Sequence, residues 1–471
     1  MGALSGALAG FTTALLVRSL DTLIPHANLE SSLSATVVAI VIGAALGAGF
    51  GVLVRRQRQG AGETLFWGMS YGVFWWVLGL LTLVPLVMRG SFAWDLSAAQ
   101  ASFPGLVGLL IYGSLTGLLL ALFRLRGSTP SLPSAGTLGR GALAGIVAAW
   151  ILGILLDAQD HLVPMGAMVP ETDPRFAAWV IILFIGALAG LIYSAFYPTP
   201  TDGAGTAVIR GAAYGFFWWV VGALTLLPLL SGHGLGWSLE QVRAEFPTLP
   251  GFILFGSMLA LFYQWLHRLV RIFLSEDVGV PRAEGPGIQV LRAVGRGAVA
   301  GLLGGGIFTF VMFQIGFLPS VAGLVGSSST GTGLLVHFII AIVIGMSYGL
   351  LFRRQSFDLT SALGWGLTYG FVWWILGALT LMPIFLGNTP QWSASAAALA
   401  FPALVGHLGY GAGLGLTFYF LEARDRPWWL SRSESEAERI TQHKEQILSS
   451  APAIWVLIVM IALTLPVLLG M

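Results

Sequence analysis

The sequence has no cysteine. Disulfides, thiolate metal sites, iron–sulfur ligation and covalent c-type haem attachment are thereby excluded, while the redox compartment stays open. Charge is scarce too: Asp, Glu, Lys and Arg make up 9% of the 471 residues, against about 25% in a soluble domain. So little charge does not cover a water-soluble protein of this length. Neither a phosphate-cradling Gly loop ending in Lys-Ser/Thr nor an HExxH motif is present, and the chain is not expected to be an enzyme. Nothing in the composition supports nucleic-acid binding.

What is abundant fits a bilayer. Hydrophobic residues are 56% of the chain, mean hydropathy is +0.84, and there are 63 glycines; glycine is commoner in membrane helices than in soluble ones. The apolar start, residues 2–24, lacks a basic n-region. Its GALSGALAG at 2–10 recurs as GALAGIVAA at 141–149 and GAVAGLLGG at 297–305. It is therefore read as the first helix of the fold.

One stretch is written three times: YGVFWWVLGLLTLVP at 71–85, YGFFWWVVGALTLLP at 214–228 and YGFVWWILGALTLMP at 369–383. At fixed distances beyond each proline come Trp94, Trp237 and Trp392, then Phe103-Pro104, Phe246-Pro247 and Phe401-Pro402. Fixed internal spacing in three copies predicts three copies of one structural unit.

Each copy holds four apolar runs of bilayer length, about 20 residues as helix. They lie near 2–24, 33–54, 66–88 and 103–123; near 141–163, 176–197, 209–230 and 246–266; and near 297–318, 333–352, 364–386 and 401–421. A thirteenth run, 452–470, follows a charged stretch in which Ser433 and Glu436 predict a capped helix to about Ser449. The expectation is an all-α integral membrane protein of three parallel four-helix repeats in pseudo-threefold arrangement, 1–126, 139–268 and 295–424. Residues 425–471 add a charged cytoplasmic segment and a last transmembrane helix. Of the 23 basic residues only Arg18, Arg89, Arg175 and Arg243 fall outside the segments after the second and fourth helices of a repeat. That bias places the N-terminus in the cytoplasm and the C-terminus outside, in a bacterial inner membrane. Trp94, Trp237 and Trp392 then fall in the outer loops, as an aromatic belt.

Candidate sites follow from cost. Intramembrane ionisable groups are expensive, so the outer ends of the first helices stand out: Arg18 and Asp21, then Asp157, Asp160 and His161, then Gln314. A snorkelling helix end, an Arg18–Asp157 pair between repeats and a substrate path are the three readings. The stripe of Tyr71, Trp75 and Trp76, with Tyr214, Trp218 and Trp219, and Tyr369, Trp373 and Trp374, is read as a packing joint or as the lining for an apolar ligand. Glycines one turn away, such as Gly79, Gly222 and Gly377, are expected to admit a neighbouring backbone. Gly43, Gly47 and Gly51, Gly186 and Gly190, and Gly345 and Gly349 predict tight helix contact. His337 and His407 lie in the outer leaflet on different helices and are the weak candidates for haem or metal; otherwise no cofactor and no metal is expected.

The frame Tyr-Gly-x-x-Trp-Trp-x-Leu-Gly-x-Leu-Thr-Leu-Met-Pro, with Phe-Pro-x-Leu-Val-Gly-His-x-x-Tyr-Gly over 401–411, resembles uncharacterised bacterial multi-pass proteins of about one four-helix unit. Three copies cover residues 1–424. Leu109 and Phe252 depart from the frame at the His407 position. The resemblance implies no activity. Two functions stay open: a transporter or channel-like protein for a small or apolar solute, and a scaffold subunit of a larger membrane complex, docked through 425–471.

Overall fold

The computed structural model describes residues 1–18, 32–55, 60–125, 133–198, 203–274, 286–352, 359–423, 458 and 460–470. Every regular element among them is helical. In chain order the long helices are α1 (Gly2–Arg18), α2 (Ser32–Leu53), α3 (Ala61–Arg89) and α4 (Phe103–Leu125). Then come α5 (Ala135–Asp157), α6 (Pro174–Phe196), α7 (Ala204–Leu230) and α8 (Leu249–Leu274). The last are α9 (Pro286–Gln314), α10 (Thr330–Phe352), α11 (Leu359–Phe385) and α12 (Phe401–Ala423). Ten helices among the described residues are long and apolar enough to cross a membrane, so this is a multi-pass helical membrane protein. The ten do not include α1, of 17 residues, or α2, whose described apolar part is Val37–Leu53.

One expectation changes at a helix end. The run 141–163 stops being helical at Asp157, so Asp160 and His161 lie in a turn, with Asp160 at φ 60°. Of the run 452–470, the described residues form a π-helical turn at Met460–Thr464 and a short helix at Leu465–Leu468. The helix expected at 433–449 lies outside the described residues.

The chain divides into two compact units. One comprises 1–200, 210–267 and 458–470; the other comprises 201–209, 268–457 and 471. Within each, glycines set the pairing of helices. A Cβ on Gly6 would stand 2.1 Å from the Gly43 carbonyl oxygen, one on Gly145 2.0 Å from that of Gly186, and one on Gly297 2.2 Å from that of Gly345. Backbones this close leave no room for a side chain, so dispersion and packing hold them without help from hydrophobic burial, which a lipid solvent does not supply.

The thrice-written word has a physical account. Tyr71, Tyr214 and Tyr369 donate to the carbonyls of Leu46, Ala189 and Ile344 at 2.8, 2.7 and 3.0 Å. The glycine after each tyrosine lets the next long helix touch: a Cβ there would be 2.1, 2.0 and 2.1 Å from the carbonyl oxygens of Leu109, Phe252 and His407. From the second tryptophan the helix widens into a π segment: Trp76–Leu83, Trp219–Leu226 and Trp374–Leu381. Inside it Thr82, Thr225 and Thr380 donate to the carbonyl five residues back, at 2.7, 2.8 and 2.7 Å. Pro85, Pro228 and Pro383 have no N–H for the carbonyl four residues earlier. Those freed carbonyls, of Leu81, Leu224 and Leu379, accept from the backbone N–H of Ala93, Gly236 and Gln391 at 3.0, 2.9 and 2.8 Å. The next residue is the spaced tryptophan, and Trp94, Trp237 and Trp392 donate to the three threonines at 3.0, 3.0 and 2.9 Å. They are anchors of the loop on the helix in addition to any belt role; Trp237 is fully buried and Trp94 67% exposed.

The chain end is held at matching places. Gln100 donates to the carbonyls of Pro466 and Leu469 at 3.1 and 2.9 Å, and Arg243 donates to that of Val467 at 2.9 Å. Carbonyls at a helix C-terminus need such outside donors.

Candidate functional site

The three tryptophan pairs divide by role. The second of each is buried and bonded: Trp76 and Trp374 donate to the carbonyls of Ser102 and Ala400 at 3.1 and 3.0 Å. Trp219 donates to the Thr248 hydroxyl at 3.0 Å, which passes the bond to the Glu245 carbonyl at 2.7 Å. The first, Trp75, Trp218 or Trp373, is half-buried and edge-on to the tyrosine one turn earlier, centroids 6.1, 6.2 and 6.2 Å apart. The glycine expected to admit a backbone there does not: around Gly79 and Gly377 the closest neighbours are side chains, and nothing lies near Gly222. The widened π turn has moved that position off the contact. The tyrosine and second tryptophan of each copy are thus tied by hydrogen bonds, whereas the indole N–H groups of Trp75 and Trp218 are buried without a partner.

GMSYG, at 68–72 and 345–349, has the spelling of a hydrolase nucleophile motif. Ser70 is buried in continuous helix and donates to the Phe66 carbonyl at 3.1 Å; Ser347 donates to that of Ile344 at 2.8 Å. Neither is the exposed, sharply turned serine that such chemistry needs.

Among the polar residues singled out in the sequence, Asp157 is paired with Arg175. Because α5 stops at Asp157, its carboxylate faces the start of α6. Arg18 ends α1, and nothing is described of its side chain; Asp21 lies outside the described residues. His161 donates from Nδ1 to the Gln159 carbonyl at 2.7 Å, a local turn bond. Gln314 is the last residue of α9. His337 and His407 each have one ring nitrogen engaged by a backbone carbonyl. His337 donates from Nε2 to the Gly305 carbonyl at 3.0 Å, and His407 from Nδ1 to that of Ala403 at 2.7 Å. The ring of Phe308 packs on both, at 5.5 and 4.6 Å. No group of three metal-ligating side chains occurs among the described residues.

The most unusual polar contact is one that sequence reasoning passed over. One turn before Tyr71, Tyr214 and Tyr369 stand Trp67, Arg210 and Trp365. In the register of those tyrosines, the surrounding positions are Phe50, Val54 and Leu120 in the first copy and Tyr348, Phe352 and Phe418 in the third. Around Arg210 they are Tyr193, Tyr197 and Tyr263. Tryptophan centres an apolar or aromatic core twice; arginine centres a tyrosine-lined core once. Its guanidinium lies 4.4 Å over the Tyr197 ring, a cation–π contact, and its Nη2 is 2.9 Å from Glu63 Oε1 at the start of α3. Both side chains are 10% exposed, so neither snorkels to water. Tyr197 packs on Gly62: a Cβ there would sit 2.0 Å from Cζ. Arg210 Nε and the Tyr197 hydroxyl are buried with no hydrogen-bond partner. The signal that could have found this site was the mismatch between copies at Trp67, Arg210 and Trp365.

A multi-pass helical membrane protein with a buried ion pair joining α3 to α7 is the class that fold and site define. The chain has no significant match among protein-family models, curated proteins or solved structures.

Proposed function

We propose that this protein is a transporter or channel-like protein for a small solute, and that the Glu63–Arg210 contact is a closed gate on its path. The observation that carries this reading is the pair itself: two charges taken out of water between helices of different sequence copies, beside two buried polar atoms without partners. A buried ionisable pair at the start of a membrane helix, costly to keep out of water, is a functional candidate. Arg210 Nε and the Tyr197 hydroxyl are donors, so the solute carries oxygen acceptors, and this favours a small polar solute over an apolar one.

The surrounding architecture in this proposal is three parallel four-helix repeats about a pseudo-threefold axis, with a thirteenth span at the end, in a bacterial inner membrane. Two matching contacts support it. Gly62 of the first copy packs on Tyr197 of the second, and Gly205 of the second packs on Phe352 of the third. Gly2 lies beside Gly51, near the C-terminal end of α2, whereas Gly470 lies beside Leu96 and Gln100, beyond the end of α3. These contacts support an odd number of spans, with the two chain ends on opposite sides. The arginine bias puts the N-terminal side in the cytoplasm.

The test is solute flux into proteoliposomes, read by swelling with urea, glycerol, acetate and phosphate. Permeability above that of empty liposomes for at least one solute supports transport. Permeability equal to empty liposomes for all four favours the scaffold reading.

A further inference from the structure

We propose a second site, in the third sequence copy and independent of the transport reading: a niche around His407 that binds an apolar aromatic alcohol, such as a phenol or quinol, through its hydroxyl. His407 is six residues, about 9 Å, along α12. Its Nδ1 lies 2.7 Å from the Ala403 carbonyl oxygen. A carbonyl accepts, so the proton is on Nδ1, and Nε2 carries a bare lone pair. Nε2 has no hydrogen-bond partner among the described residues, and the residue is only half-buried. It points at Gly377 in the π segment: a Cβ there would stand 3.8 Å from Nε2 and 3.5 Å from the Trp373 ring. Phe308 packs on the imidazole itself, ring centroids 4.6 Å apart. The niche is thus aromatic with one acceptor and no donor opposite it.

The copies sharpen this. Leu109 and Phe252 occupy the position of His407, so packing in this frame does not need a histidine. An acceptor kept in an apolar setting without a partner is costly. A ligand that donates one hydrogen bond and otherwise buries a ring removes that cost. A quinone offers only acceptors to Nε2 and is rejected; the reduced hydroxyl form is chosen, a discrimination by hydrogen-bond polarity.

The experiment uses the full chain in nanodiscs, labelled with 15N-histidine, the His407 signal being assigned by its loss in His407→Phe. That variant copies Phe252 and is checked for an unchanged melting temperature; His407→Leu, copying Leu109, serves if it is not. The probes are 2-naphthol and 1,4-naphthoquinone. The expected result is a shift of the His407 Nε2 resonance with 2-naphthol only, and about tenfold weaker 2-naphthol binding in the substituted protein. Equal shifts with both probes, no shift with 2-naphthol, or unchanged binding after substitution would overturn the proposal.

Discussion

Arg210 Nη2 and Glu63 Oε1 lie 2.9 Å apart, and each side chain is 10% exposed. Removing one partner leaves the other charge buried and alone, which costs about 3–5 kcal/mol. Glu63→Thr and Arg210→Trp each place the residue of another copy, Thr206 or Trp67, at the site. Singly, each is expected to destabilise by about that amount. Together they recover at least half of the summed loss. A double-mutant cycle of unfolding in detergent measures this; additive losses would show that the two residues do not interact.

Thr225 and Thr82 make the same bonds in different surroundings. Thr225→Val leaves the N–H of fully buried Trp237 without an acceptor, whereas Thr82→Val does so for Trp94, which is 67% exposed. The expected costs are about 1–3 kcal/mol for Thr225→Val and under about 1 kcal/mol for Thr82→Val. Equal costs in the same unfolding assay would contradict the loop-anchor account.

Asp95 caps the short helix Leu96–Ala101, accepting from the Ala98 N–H at 2.8 Å and from the Ser97 hydroxyl. Those bonds hold its carboxyl below the ordinary carboxylate range, the Ser97 hydroxyl contributing most. A depressed pKa means that the cap's contribution is full above the unfolded value and fades as pH falls through the folded one. Ser238 and Ser393 cap the matching helices and do not titrate. Hydrogen exchange, corrected for intrinsic rates, is expected to show acid fraying at Leu96–Ala101 alone. Fraying of all three helices together would point to a global cause.

With no native cysteine, single introduced thiols report orientation without background. Ser97→Cys and Ser393→Cys are expected to react with an impermeant maleimide added outside intact cells, and Arg55→Cys only after lysis. The reverse pattern would invert the proposed topology.

Much of the helix plan was legible because apolar runs, glycine spacing and a thrice-copied word are local signals. The stripe of Gly, Tyr and Trp reads as one helical face, yet the π turn inserted after Trp75, Trp218 and Trp373 leaves the hydropathy pattern unbroken and so stays hidden. Aligning the copies set Arg18 opposite Asp157 as one possible partner; the stop of α5 at Asp157, which puts Arg175 within reach, is not written in the hydropathy pattern. Glu63 and Arg210 are far apart in sequence and belong to different copies, so no spacing rule joins them. Arg210 also passed as one more basic residue near a helix end. Counting charges sets orientation; only comparison of the copies position by position isolates a charge that replaces a tryptophan.

The central claim is that the polar core at Arg210 is part of a solute path. The direct measurement is proteoliposome flux in Glu63→Thr/Arg210→Trp, in which both charges of the second core are removed and the tryptophan of the first and third copies takes the place of Arg210. The account predicts that the solute passed by the unsubstituted protein falls to the empty-liposome rate, with the melting temperature within a few degrees. Undiminished flux through the substituted protein would place the path elsewhere.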